Sequence, residues 1–177
     1  KELFNFCALD LSSFYFDIRK DVLYCDSLNS KKRKECVIVL NLILECLLKW
    51  FSPIFVFTTE EIYSLLRKGD ESIHESLFPK IPKKRNNETL NEKWKSLFKI
   101  KQEANIAIEE KRANKEIGSS LEASIKISLN KKLFKLTRNI DFAELCITSK
   151  SLVKESSNDE VIVESKKAKG SKCPICW

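Results

Sequence analysis

Apolar positions over residues 1 to 24 recur at intervals of three and four: Leu3, Cys7, Leu11, Phe14 and Ile18. Such intervals put them on one face of a helix, and Phe4, Phe6 and Phe16 widen that face. The run "DIRKD" ends the helix with charge, and "CDSLNSKKRKE" is a polar break in which Ser30 can cap the next helix.

Residues 31 to 51 hold the most hydrophobic stretch, "CVIVLNLILECLLKWF". Asn41, Glu45 and Lys49 fall four apart and share one face, with Glu45 and Lys49 spaced for an ion pair. A membrane span needs about 20 mainly apolar residues without such a stripe, so the pattern predicts a core helix with one wet side. Pro53 ends or kinks it. The stretch "FTTEEIYSLLRKG" predicts a third helix, capped by Thr58 or Thr59 and closed by Gly69. Residues 70 to 87 carry two prolines and read as a loop rather than a core element. A long helix follows from about Glu88 to Ile117, with Leu90, Trp94, Leu97, Ala104 and Ile108 on its buried stripe and Gly118 at its C-terminal cap. Four helices of this kind predict an α-bundle.

The period then changes. In "ASIKISL" Ala123, Ile125, Ile127 and Leu129 alternate with polar residues, as in a strand. The run "NKKLFKLTRN" predicts a short helix, "AELCITS" a second strand and "EVIVES" a third. The fold class is therefore mainly α, a helical bundle followed by a small α/β unit.

Composition agrees with this picture. The chain is 43% hydrophobic and 32% charged, which is that of a soluble folded protein, and only 3 Gly and 4 Pro favour long helices over a turn-rich sandwich. It contains no Met and opens already in full periodic pattern, the expectation for a piece of a longer protein; no secretory leader is evident. A net charge of +7 suits an anionic partner, most simply nucleic acid. Lysine used as filler is the plain alternative, and charge alone does not separate the two. Of the seven cysteines, Cys7, Cys36 and Cys46 sit in apolar helical patterns as small hydrophobes, and an odd count fits a reducing cytoplasm.

Catalytic signatures are missing. His74 is the only histidine and lies in the proline-flanked loop, where a packing role is the simpler reading. There is no glycine-rich phosphate loop, and the carboxylates fit solvated helix faces and ion pairs rather than an acid/base couple. Two features can bind something. One is the pair Cys173 and Cys176 in "KCPICW", spaced as a zinc knuckle; a redox pair or inert thiols are the alternatives. The other is a set of basic runs, "SKKRKE" (30–35), "KIPKKR" (80–85), "EEKRANKE" (109–116) and "KKAKGSKCPICW" (166–177). Each suits phosphate, although a helical run of this kind is as easily a solvated face. In the tail, cations, the cysteine pair and Trp177 coincide, and an indole can stack on a base for about 1–3 kcal/mol.

The stretches "NFCALDLSSFYFDIRKDVLYCDS", "LLKWFSPIFVFTTEEIYSLL", "SIHESLFPKIP" and "EKRANKEIGSSLEASIKI" resemble, in order, the C-terminal part of the bacterial isoleucyl-tRNA synthetases. The closing "KAKGSKCPICW" is similar to the start of that family's C-terminal zinc finger, and the resemblance covers essentially all of the chain. Valyl- and leucyl-tRNA synthetases share the bundle but, as a rule, not this cysteine ending. The resemblance implies a class I anticodon-binding helical domain over 1–117, a small α/β junction over 118–165, and a basic tail with a partial zinc finger over 166–177.

It also implies a function. The family activates isoleucine with ATP and transfers it to tRNA(Ile), using HIGH-type and KMSKS-type motifs in an N-terminal catalytic domain. Neither motif occurs here, and the SKS within "ITSKSL" lies at a predicted strand end after the bundle, the wrong place. An editing domain, needed because one methylene gives only about 1–3 kcal/mol of discrimination, is missing too. The chain is therefore expected to be inactive alone, a cytoplasmic monomer with no membrane association, whose partners are tRNA(Ile) and the catalytic and editing domains of the same protein. Cys173 and Cys176 carry over as zinc ligands; a second CxxC lies further along in the family, so the chain is expected to stop inside the finger. Ile175 stands where relatives commonly carry a basic residue, while Trp177 matches. Expected phosphate contacts are Arg19, Lys20, Lys111, Arg112 and Lys115, with Lys167, Lys169, Lys172 and Trp177 near the anticodon. The competing reading is a free-standing basic RNA-binding module that completes a zinc site by dimerising, two cysteines from each copy.

Overall fold

Side-chain caps mark where the two longest helices begin, and they fall on polar breaks of the sequence. A computed structural model of the chain describes residues 1–67, 71–80 and 87–171. In order they form α1 (Glu2–Asn5), a π-helical stretch (Phe6–Phe16), α2 (Asp17–Tyr24), α3 (Lys31–Phe51), α4 (Val56–Leu66), a 3-10 turn (Ile73–Glu75) and α5 (Glu88–Ala113). A 3-10 turn (Ser120–Glu122), β1 (Ala123–Asn130), α6 (Lys131–Leu136), α7 (Phe142–Cys146), β2 (Lys150–Ser156) and β3 (Ile162–Lys167) follow. The protein is thus mainly α, with a small sheet after the helices. Its contacts divide into two compact units, Lys1–Ile18 with Asn87–Trp177, and Arg19–Asn86. Residue 117, the expected edge of the helical domain, falls inside the first unit.

In that first unit, Asn87 starts α5 by accepting from the Leu90 amide at 3.0 Å. Leu97, Ile100, Ala104 and Ile108 then line one face of α5 and pack with Ile117, with Ala123, Ile125, Ile127 and Leu129 of β1, and with Phe142, Leu145 and Cys146 of α7. Each isoleucine so buried contributes roughly 1.5–3 kcal/mol relative to solvent. Leu90, expected on this stripe, is instead 48% exposed, and Trp94 is only partly buried at the edge of the core. The alternation read in "ASIKISL" is real: every second residue of β1 is fully buried. β1 is the central strand, parallel to β2 and antiparallel to β3. Lys126 and Glu164, direct partners across β1 and β3, pair at 3.1 Å.

Two local expectations are corrected here. The first helix is not uniform: its middle turns widen to a π-helix, and Ser13 Oγ donates to the Ala8 carbonyl, five residues back, at 2.9 Å. A hydroxyl that competes for a backbone carbonyl in this way loosens the α ladder, which an apolar spacing of three and four does not reveal. The stretch "AELCITS" is α7 rather than a strand. Asp141 accepts from the Ala143 and Glu144 amides, and Ile147 adopts a left-handed φ of 55° that ends the turn. The strand lies later, at Lys150–Ser156, where a polar edge strand is identified by its pairing with β1 rather than by its own pattern.

In the second unit, Ser30 caps α3 through the Arg33 amide and Glu45 pairs with Lys49 at 2.9 Å, both as expected. α4 begins earlier than Thr58 or Thr59: Phe55 precedes it, and the Thr59 hydroxyl donates back to the Phe55 carbonyl at 2.9 Å. It ends at Leu66, and Gly69 lies outside the described residues. The proline-flanked loop supplies a core residue after all. Glu60 accepts from Ser72 Oγ at 2.8 Å and from the Ile73 amide at 3.0 Å, which fixes Ile73 against Leu48 and Tyr63.

The apolar side of α3 is less buried than expected. Asn41 is exposed and the Glu45 side chain is 43% exposed, as a wet stripe requires, and both line a cavity, but Val37, Ile38, Val39 and Leu42 are exposed as well. Among the described residues of this unit, the main partners of α3 are α4 and the Ile73–Glu75 turn, which cover one stripe of a helix that is apolar nearly all round. Among the described residues no helix is long and apolar enough to cross a membrane.

Candidate nucleic-acid interface

Three of the cations expected to meet phosphate, Lys111, Arg112 and Lys115, gather where α5 ends, together with Lys167, expected near the anticodon. Asn114 is the C-cap of α5, and Lys115 follows with φ 58°, the left-handed position that normally belongs to glycine. The Lys115 amide donates to the Arg112 carbonyl at 2.9 Å and the Glu116 amide to the Lys111 carbonyl at 3.0 Å. Those two bonds are the paired signature of a Schellman turn. Lys115 therefore holds the place expected of Gly118, which instead donates its amide to Glu122 Oε2 at 3.0 Å.

The turn opens a concavity of about 700 Å³ between the end of α5 and the end of β3. Arg112, Lys115 and Lys167 line it, and so do Glu109, Glu116 and Glu122. Lys111 lies beside it and pairs with Glu116 at 2.9 Å, while Arg112 pairs with Glu109 at 2.6 Å. These are surface pairs, worth about 0–1 kcal/mol each, so a phosphate can displace either carboxylate at little cost. Among the described residues, Lys115 and Lys167 form no ion pair. The backbone at the rim is secured: the Ala168 amide donates to the Glu122 carbonyl at 2.7 Å, and Ser149 Oγ donates to the Leu121 carbonyl. The concavity thus presents two unengaged ammonium groups and a partly engaged guanidinium on a fixed frame.

The remaining expected contacts are placed separately. Arg19 and Lys20 lie on α2, at the start of the second unit, and neither lines this concavity. Lys169 is exposed just beyond β3. Lys172, Cys173, Cys176 and Trp177 lie outside the described residues, as does "KIPKKR" after Lys80. Elsewhere in the first unit, burial pushes the Cys146 thiol up to about 11, against the pull of Lys101. It stays protonated at neutral pH and serves packing. Burial likewise lowers the Lys101 ammonium, which sits 4.7 Å over the Phe14 ring. Among the described residues no three metal-ligating side chains come together.

A family profile described as "Anticodon-binding domain of tRNA ligase" matches residues 1–127. The chain belongs to this anticodon-binding domain family. A protein of Pelagibacter ubique named "Isoleucine--tRNA ligase" is 59% identical over 177 residues, covering all of this chain and 20% of that protein. Proteins of the same name from Agrobacterium fabrum and Methylacidiphilum infernorum are each 39% identical, over 188 and 175 residues. They are covered to 19% and cover 100% and 99% of this chain. The chain thus spans about a fifth of the length of the curated relatives it matches. Membership in this family does not favour a free-standing, dimer-completed module.

Sequence reasoning singled out Lys111, Arg112, Lys115 and Lys167 but missed their counter-charges. Glu109 and Glu116 were legible as neighbours in "EEKRANKE", yet which cations they would engage depends on the turn after α5. The cavity of the second unit was missed as well. Its only trace in the sequence is the Asn41, Glu45, Lys49 stripe, which reads as solvent-facing until α4 is placed.

Proposed function

We propose that this chain is the tRNA-binding, C-terminal region of an isoleucine–tRNA ligase and that it grips the anticodon arm of tRNA(Ile). The observation that carries the reading is the convergence of Arg112, Lys115 and Lys167 in one concavity of a chain that belongs to the family of anticodon-binding domains of tRNA ligases. Ammonium and guanidinium groups on a fixed turn meet phosphate oxygens, which sets affinity and register; identity then comes from base contacts in the single-stranded loop. In the whole cytoplasmic enzyme, catalytic and editing domains supplied by the rest of the protein use ATP and isoleucine, while this region acts as a monomeric arm holding the tRNA at a distance from the reaction.

Zinc belongs to the same proposal. Cys173 and Cys176 provide two thiolates, half of a closed structural set, and two further ligands are needed to complete it. When bound, the metal fixes the local fold; Lys169 and Lys172 beside it add cationic reach, and Trp177 a stacking surface.

Hydroxyl-radical footprinting of tRNA(Ile) by the 177-residue chain tests this reading. Protection of the anticodon stem and loop is expected. Protection confined to the acceptor stem, or none, overturns it.

A further inference from the structure

We infer that the cavity between α3 and α4 binds a free α-amino acid with an aliphatic side chain. The site lies within the second unit and is independent of tRNA binding. The cavity measures about 270 Å³, below the roughly 300–1,000 Å³ of pockets for drug-sized ligands, and so suits a small metabolite. Its wall is apolar: Leu44, Leu48, Leu66 and Ile73, with the Tyr63 ring. Leu48, Tyr63 and Ile73 are 5%, 8% and 1% exposed and form a fixed floor, while Leu66, 54% exposed, stands at the mouth.

Three polar side chains complete the lining: Asn41, Glu45 and Arg67. Asn41 and Glu45 stand four apart on α3, so they are neighbours on one helix face. Glu45 accepts from Lys49 Nζ at 2.9 Å, and that bond holds its carboxyl below the usual range. It is an ionised group that only accepts, and one ammonium leaves most of its lone-pair sites open. Arg67 closes α4: its amide donates to the Tyr63 carbonyl at 2.9 Å, and its guanidinium lies 5.9 Å from the Tyr63 ring centroid. Glu45 and Arg67 thus bring opposite charges to one apolar cavity. Among the described residues they form no ion pair with each other, although the arginine's charge adds to the lowering at Glu45. The gap between them fits a ligand that carries both charges itself.

An α-amino acid is such a ligand. Its carboxylate can take two parallel N–H bonds from a guanidinium fork. Its ammonium brings three donors for the Glu45 carboxylate and the Asn41 amide oxygen. An aliphatic side chain then covers the leucine and isoleucine floor. A plain acid leaves Glu45 unmatched, and a plain amine leaves Arg67 unmatched. A further charge on the side chain, as in glutamate or lysine, would face Leu48 and Ile73 without a partner and lose its hydration.

The test titrates the full 177-residue chain with leucine, leucinamide and N-acetylleucine and follows binding by NMR. Leucinamide keeps the ammonium without the carboxylate; N-acetylleucine keeps the carboxylate without the ammonium. Leucine, binding at about millimolar strength as its size dictates, is expected to shift the Asn41 side-chain amide and Arg67 Nε–H saturably. Each derivative should bind about tenfold more weakly, because it leaves one charged group of the site unmatched. Arg67→Gln should bring the leucine-to-leucinamide ratio towards one, and Glu45→Gln should do the same for leucine against N-acetylleucine. Far-ultraviolet dichroism reports whether either variant keeps its helices; if one does not, the ratios in the parent chain decide. Absence of saturable shifts at Asn41 and Arg67 overturns the inference. Equal binding of leucine and either derivative overturns it too, as does tighter binding of glutamate or lysine than of leucine. Shifts with guanosine monophosphate but none with leucine also overturn it, by assigning the cavity to a nucleotide.

Discussion

Lys111 and Glu116, five residues apart across the end of α5, meet at 2.9 Å. In the turn that stops this helix, the corresponding positions usually hold two apolar side chains. Here an ion pair closes the turn, so the element that shapes the concavity also restrains one of its cations. Glu116→Gln is expected to free Lys111 and tighten tRNA binding several-fold, at a stability loss below about 1 kcal/mol because the pair is exposed. Paired measurements of affinity and thermal unfolding check both signs; weaker binding refutes the idea that Glu116 competes with phosphate.

Lys115 adopts a left-handed backbone that favours glycine. Lys115→Gly should therefore raise stability by roughly 1 kcal/mol while weakening tRNA binding, since the strain is relieved and an ammonium is lost. Chemical unfolding and an affinity measurement on the same variant separate the two effects. A variant that binds as well as the parent removes Lys115 from the interface.

Cys146 makes the alkaline limb of stability distinctive. Its thiol is held at about 11 in the fold, against about 9 in the unfolded chain, so the unfolded state loses the proton first. The contribution is complete below pH 9 and is lost as pH rises from 9 to 11, up to about 2–3 kcal/mol. Cys146→Ala should flatten that loss, although it is less stable at pH 7 through the cavity it leaves. Unfolding midpoints across that window decide it; an unchanged slope contradicts burial as the cause.

Because the chain carries no ATP signature, it should support no isoleucine-dependent exchange of pyrophosphate into ATP. Exchange above a no-enzyme control would place catalytic groups in this region.

Much of the fold was legible where one physical signal dominated. The Ser30 cap, the Glu45–Lys49 spacing and the alternation of β1 are local, and each survives in the structure. What was hidden depended on partners distant in sequence. β2 is a polar strand recognised by its pairing with β1, and the short α7 is set by the Asp141 cap and the left-handed Ile147. The apolar pattern of α3 promised burial, yet the one stripe that its neighbours cover leaves Val37 to Val39 outside. The same held for the site. Its cations could be read from "EEKRANKE" and the tail, but their assembly needed the turn at Lys115 and the return of β3 to the end of α5.

The central claim is that Arg112, Lys115 and Lys167 hold phosphates of a folded RNA. The most direct measurement is the affinity of the chain for tRNA(Ile) at salt concentrations from about 50 to 200 mM, for the parent and for the variant Lys115→Ala with Lys167→Ala. Binding of the parent should fall steeply across that range, and the double variant should show a log–log slope shallower by roughly 1.5–2, about one per lost phosphate contact. Affinity that stays flat with salt, or a variant with the parent's slope, would contradict the account.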